Sequence, residues 1–160
     1  MREFFGGKKF NFLVVDDDPG IREVVKIHLE HEGHKVTLAV DGDDCIKKLT
    51  KDTDIILLDV KMPGKRSKDI IKETKIKSPK AVIVYLTSVK MFEPTKNETQ
   101  MEWTPVIEPP VIGYIQKPVM RDDLFSKIEK YLKQNKLIMG NTTKTKRIIK
   151  KSITKTKKIK

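Results

Sequence analysis

The sequence predicts an α/β fold in which helices cover both faces of a parallel sheet. Short, unbroken apolar runs recur along the chain, as expected of strands that are buried on both faces. Between these runs, apolar residues return at helical spacing, and Pro or Gly marks many of the junctions. The alternation of strand and helix implies right-handed crossovers between parallel strands.

The first strand is predicted over residues 10–15, directly before three consecutive acidic residues. A helix should follow it, because Asp18 suits the N-cap and Pro19 suits the first helical position, where its missing N–H group costs nothing. Gly33 is expected to end this helix, since glycine readily adopts the left-handed conformation of a helix C-terminus.

The second strand is predicted over residues 35–40 and a short helix over residues 44–49. The third strand, residues 54–59, runs through four apolar residues into Asp59, and Pro63-Gly64 then turns the chain. Ligands gather at the carboxyl ends of the strands in open α/β sheets. Taken alone, Asp59 is therefore either a solvated strand-end residue or part of a site.

The second half of the chain continues the alternation with a helix over residues 67–77 and strands over residues 81–86 and 111–115. A last helix begins near Val119, with an apolar face at i, i+4, i+7 and i+8. The interval of residues 89–110 contains four prolines, so the fourth helix of the pattern should be irregular or shortened.

The charge of the chain is concentrated at its C-terminal end. The net charge is +12, and residues 139–160 contain nine Lys or Arg and no acidic residue, which leaves 25 basic and 22 acidic residues elsewhere. We therefore divide the chain into an N-terminal lead (1–9), one domain (10–138) and a basic, disordered tail (139–160). A single cysteine, Cys45, and no apolar stretch of membrane-spanning length indicate a cytoplasmic protein.

Residues with carboxylate, hydroxyl or amine side chains lie at the carboxyl ends of four of the predicted strands. Asp16 and Asp17 follow the first, Asp59 ends the third, Thr87 follows the fourth and Lys117 follows the fifth. In a parallel sheet these residues share one edge. Three carboxylates that lie together favour a hard divalent cation such as Mg²⁺. A lysine and a hydroxyl beside them would form a receptacle for a phosphoryl group.

In this order and at these spacings, the motifs resemble the receiver domain of two-component response regulators, of the stand-alone, chemotaxis-regulator kind. They are Val15-Asp16-Asp17, Leu58 to Gly64, Leu86-Thr87-Ser88 and Tyr114 to Pro118, and the resemblance extends over residues 10–138. It implies a flavodoxin-like, doubly wound five-stranded sheet with strand order 2-1-3-4-5. It also implies a cis peptide bond before Pro118.

The resemblance also implies the role of each site residue. Asp59 would accept a phosphoryl group from a sensor histidine kinase, and Asp16, Asp17 and Asp59 would hold Mg²⁺. Thr87 and Lys117 would bind the phosphoryl group.

Two flanking residues complete the expected set. Tyr114 would act as an aromatic switch, and Lys61, two residues after the acceptor, would tune the phosphoryl lifetime. The chain would then be a signalling module whose only phosphotransfer substrate is itself, not an enzyme.

The sequence does not specify what the predicted module acts on after phosphorylation. The resemblance implies an unknown downstream protein and leaves a homodimer open. An alternative from another class is a polyanion- or nucleic-acid-binding protein that uses residues 139–160 on a receiver-like scaffold. A zinc site built from His28, His31 and His34 is disfavoured, because Gly33 interrupts their helix and no cysteine lies nearby.

Overall fold

The computed structural model describes residues 3–61, 66–88 and 107–136. Its strands are Asn11–Val15 (β1), Lys35–Ala39 (β2), Ile55–Asp59 (β3), Val82–Thr87 (β4) and Val111–Gln116 (β5). All pair in parallel in one sheet of order β2-β1-β3-β4-β5. The predicted flavodoxin-like sheet and its strand order are thus confirmed.

Four α-helices connect or follow these strands in the described ranges. They are Pro19–His31 (α1), Gly42–Lys48 (α2), Ser67–Lys77 (α3) and a helix over residues 121–136 (α4). The predicted irregular helix falls mostly on residues 89–106, and the basic tail on residues 139–160, and both lie outside the described residues. No helix in the described ranges is long and apolar enough to cross a membrane.

Local signals in the sequence set the ends of α1. The Asp18 carboxylate accepts hydrogen bonds from the backbone of the first turn, at 2.8 Å from Gly20 N, as expected of an N-cap. At the other end, Gly33 has a φ of +82° and the His34 N–H group donates to the Leu29 carbonyl at 3.1 Å. This backbone bond closes the helix in the manner of a Schellman motif.

The core consists of two layers, one on each face of the sheet. Successive side chains of a strand point to opposite faces, so Phe12 and Val14 of β1 pack in the layer that contains residues of α1 and α4. Leu13 and Val15 pack in the other layer, with residues of α2 and α3. All five residues of β3 are buried, which explains its unbroken apolar sequence.

The amino-terminal segment belongs to the packed domain. Phe4 is only 5% exposed, and its ring centroid lies 5.0 Å from that of Phe125. The guanidinium group of Arg121 lies over both rings, at 5.8 and 5.6 Å. The Phe5 N–H group donates to Glu129 Oε1 at 3.0 Å. Part of the predicted N-terminal lead, residues 1–9, therefore packs against α4 as a piece of the domain.

Candidate functional site

The three predicted carboxylates meet at one edge of the sheet. Asp16 and Asp17 follow β1 directly and Asp59 ends β3, and these two strands are neighbours with Val15 paired to Leu58. One carboxylate oxygen from each of the three lies within 4.8 Å of the others. The parallel pairing of β1 with β3 thus brings together residues that are more than 40 positions apart in the sequence.

These carboxylates and Lys117 form what we call the pocket. Asp16 is its most deeply buried carboxylate, with 0% exposure. Its Oδ1 accepts the Asp18 N–H group at 3.0 Å, and its Oδ2 lies 2.6 Å from Lys117 Nζ. Asp17, the second member of the cluster, is exposed. Arg22 Nη1 also donates to the Asp16 carbonyl, at 2.6 Å. No motif in the sequence marks this arginine, although it lies in the first turns of α1, close to the acidic residues.

Asp59, the predicted phosphoryl acceptor, is 6% exposed. Its Oδ1 accepts the Lys61 N–H group at 3.1 Å and its Oδ2 lies 3.4 Å from Lys117 Nζ. Burial raises the pKa of Asp59, and the Asp16 charge adds to this rise. The Lys61 N–H bond and the Lys117 ammonium oppose the rise by favouring the ionised carboxylate, which is the nucleophilic form.

Lys117 joins the two buried carboxylates. Its backbone N–H group donates to the Thr87 carbonyl at 2.7 Å, so the β4–β5 pairing fixes the position from which its side chain reaches the pocket. Burial lowers the pKa of Lys117, but its hydrogen bond to Asp16 and the charges of Asp16 and Asp59 outweigh burial, and the net shift is upward. The ammonium group therefore stays charged. The Lys117–Pro118 peptide bond is cis, as predicted.

Three further predicted site residues lie close in sequence to the pocket residues: Thr87 at the end of β4, Tyr114 in β5 and Lys61 two positions after Asp59. Thr87 ends β4 and is buried, in register with the residue that precedes Lys117. Tyr114 lies half-buried in β5, where its carbonyl accepts the Tyr131 hydroxyl at 2.7 Å. Lys61 is exposed and touches Asp59 through its backbone N–H group. The predicted roles of these three residues stay predictions.

The donor set of the pocket fits a hard cation. Three carboxylates face one ammonium group, so the cluster of Asp16, Asp17, Asp59 and Lys117 has a formal excess of negative charge. All three acidic ligands offer oxygen, which small divalent cations of the Mg²⁺ class prefer. These residues could therefore hold a metal ion.

Comparison with known proteins identifies the family. The family model of the response regulator receiver domain matches residues 12–129. The chain belongs to this family. A similar curated protein is the response regulator SaeR of Staphylococcus aureus, 37% identical over 78 residues, which are 49% of this chain and 34% of SaeR. The matched stretch thus spans about a third of the length of that relative.

Solved receiver structures share the fold. The response regulator TrrA of Thermotoga maritima, solved in complex with Mg(2+)-BeF, is 29% identical and matches with a TM-score of 0.58, covering 76% of this chain and 98% of its own. The chemotaxis protein CheY4 of Vibrio cholerae is 26% identical with a TM-score of 0.62, covering 78% and 99%. The carboxylate pocket of this receiver domain is thus the candidate functional site.

Proposed function

We propose that this receiver domain accepts a phosphoryl group on Asp59 from the phosphohistidine of a sensor histidine kinase, and that phosphorylation controls its binding to a downstream protein. The observation that supports this most directly is the position of Asp59. Its carboxylate is nearly buried, yet it lies within 4.8 Å of two further carboxylates and 3.4 Å from the ammonium of Lys117.

The proposed transfer is a substitution at phosphorus. An Asp59 carboxylate oxygen attacks the phosphorus atom, a P–O bond forms, and the P–N bond of the donor breaks with its electron pair returning to the imidazole nitrogen. The Lys117 ammonium faces the charge that the transferred group carries, and the Thr87 hydroxyl would donate a hydrogen bond to one of its oxygens. These groups act mainly by position and charge.

Mg²⁺ is the metal that we propose for the pocket, held by Asp16, Asp17 and Asp59. The carboxylate oxygens fit it, and the TrrA complex with Mg(2+)-BeF supports it from a similar protein. When bound, the ion supplies positive charge that offsets the repulsion between the carboxylates and an incoming phosphoryl group.

The proposed output is a change in binding partner, so the domain acts as a cytoplasmic signalling module and not as an enzyme on an external substrate. Movement of Thr87 toward the phosphoryl group would leave space for the Tyr114 ring, and Lys61 would tune how long the phosphoryl group persists. The histidine kinase and the downstream protein are partner classes that membership of the receiver family supports.

The test uses phosphoramidate, whose P–N bond resembles that of phosphohistidine, with Mg²⁺ and intact-mass spectrometry. The wild-type chain should gain one phosphoryl group, and Asp59→Asn or a chelator should abolish the gain. Asp52→Asn is the matched control, because Asp52 is exposed and lies before the amino end of the same strand. Equal labelling of Asp59→Asn and wild type would refute the proposal.

A second candidate function rests on the composition of residues 139–160, with nine basic and no acidic residues. A basic segment of this kind binds polyanions by releasing counterions. If about four charges contact duplex phosphates, log K should fall against log salt with a slope of about −4 and with little sequence preference. Equal affinity for DNA or RNA of the full chain and a chain ending at residue 138 would exclude this role.

A further inference from the structure

A side chain of α4 contacts the backbone of β5 on the side that faces away from β4. Among the described strands β5 pairs with β4 only, so alternate backbone groups of β5 face away from β4. The Lys117 N–H group points to β4, at 2.7 Å from the Thr87 carbonyl. By the alternation of a strand, the carbonyl of Tyr114 points the other way. There it accepts the hydroxyl group of Tyr131 from α4, at 2.7 Å.

The sequence of β5 makes this contact sterically feasible. The Tyr131 ring lies against Gly113, where an added Cβ atom would be 2.5 Å from the ring carbons Cε2 and Cζ. Any side chain at position 113 would displace the ring. The register between β4 and β5 also shifts at this point, because Ile83 pairs with Val111 whereas Val84 pairs with Gly113. The Tyr131 ring and hydroxyl therefore contact β5 just beyond this irregularity, where the hydrogen-bond ladder between β4 and β5 is locally disrupted.

We propose that Tyr131 is a positioning residue for the phosphoacceptor pocket, acting through β5. Its bond to the Tyr114 carbonyl and its ring on Gly113 fix the strand three and four residues before Lys117. The Lys117 ammonium is thereby held 2.6 Å from Asp16 and 3.4 Å from Asp59. The expected effect on phosphoryl transfer rests on the proposed function. The positioning of β5 by Tyr131 rests only on the contacts from Tyr131 to Gly113 and to the Tyr114 carbonyl.

The first test measures the link without any phosphoryl chemistry. Tyr131→Phe keeps the ring on Gly113 and removes only the hydroxyl group. In the full chain without metal, hydrogen exchange read by NMR should become about fivefold faster at the Ile115 and Lys117 amides, in line with the loss of one hydrogen bond. The amides of β1 should be unaffected.

The matched control is Thr74→Val, which removes a hydroxyl hydrogen bond to the Ile70 carbonyl of 2.7 Å within α3. It should leave the Lys117 amide unchanged. An unchanged Lys117 amide in Tyr131→Phe would overturn the proposal. An equal increase in the exchange rates of amides throughout the sheet would also overturn it, because it would reflect a general loss of stability.

The second test asks whether the link reaches the chemistry. With phosphoramidate and Mg²⁺, Tyr131→Phe should slow the labelling of Asp59 several-fold, and it should have no further effect in a Lys117→Ala background. A Tyr131→Phe effect that persists without Lys117 would overturn the proposed route. If the wild type itself gains no phosphoryl group, the proposed function fails, while the exchange experiment still decides whether Tyr131 positions β5.

Discussion

His34 should make the stability of this receiver domain depend on pH in the mildly acidic range. The side chain is 5% exposed and lies at the amino ends of β1 and β2, among the rings of Phe5, Phe12 and Phe125, with centroids 5.1 to 6.2 Å away. Its Nδ1 accepts the Phe10 N–H group at 3.2 Å. Protonation would place a charge among these rings and remove that acceptor.

The magnitude follows from the pKa of His34. Burial, reinforced by the Lys9 charge and only partly offset by Glu32, lowers this pKa from 6.5 to about 4. The unfolded chain therefore binds a proton at His34 as the pH falls below 6.5, whereas the folded chain does so only near 4. The contribution of neutral His34 to the free energy of unfolding is fully present above the pKa of the unfolded chain. About 2 kcal/mol of it should be lost between pH 7 and pH 5, and about 3 kcal/mol in total once the folded form binds its proton.

The assay is urea unfolding of the full chain at a series of pH values from 7 to 4. His34→Asn is the informative variant, because its Oδ1 can replace Nδ1 as the acceptor for Phe10 and it cannot titrate. It should be less stable at pH 7, because it loses a buried ring, but its stability should fall less with pH. Subtracting its curve from the wild-type curve removes the contribution of the carboxylates, which titrate in both proteins.

His31→Asn is the matched control, since the side chain of His31 is 65% exposed and lies three positions away. It should retain the wild-type pH dependence. Wild-type and His34→Asn curves that ran parallel between pH 7 and pH 5 would contradict the predicted role of His34. A His31→Asn variant that lost as much of the pH dependence as His34→Asn would contradict it as well.

Three further predictions concern packing and phosphoryl lifetime. Phe4→Ala should lower the free energy of unfolding by about 3 kcal/mol in urea titrations, because Phe4 is buried in the core; a loss below about 0.5 kcal/mol would contradict its packing. Gly113→Ala should destabilise the fold by about 2 kcal/mol, and a Tyr131→Ala background should relieve much of that loss in a double-mutant cycle; purely additive losses would argue against the clash. Lys61→Ala should speed the decay of phospho-Asp59 several-fold in a mass-spectrometric time course, and an unchanged decay would remove Lys61 from the mechanism.

The sequence was sufficient to predict the sheet and the pocket. Asp16 follows and Asp59 ends a buried apolar strand, and Lys117 follows the last residue of β5. Parallel strands bring such positions to one edge of the sheet whatever the loops between them do. The ends of α1 were predictable for a similar reason. Asp18 and Gly33 act on the backbone within a few residues of themselves, so their effect does not depend on the rest of the fold.

The contacts of the amino-terminal segment could not be predicted in this way. Phe4 and Phe125 are far apart in the sequence, and Phe125 lies beside the apolar stripe of α4 that periodicity identifies. Phe125 is fully buried, and part of the cover over its ring comes from Phe4 and Phe5, which precede the predicted domain. The same holds for the bond from Tyr131 to the Tyr114 carbonyl, since side-chain-to-backbone bonds between distant elements leave no periodic signal.

The central claim, that Asp59 is the phosphoryl acceptor, is tested most directly by trapping the acyl phosphate. After reaction with phosphoramidate and Mg²⁺, borohydride reduces an aspartyl phosphate to homoserine, and peptide mass spectrometry then locates the reduced residue. We predict homoserine at position 59, and at no other acidic position, in the wild-type chain, and none in the chelated sample. Homoserine at Asp16 or Asp17 in place of Asp59, or no reduction at any position of a chain that has gained phosphate, would contradict the account.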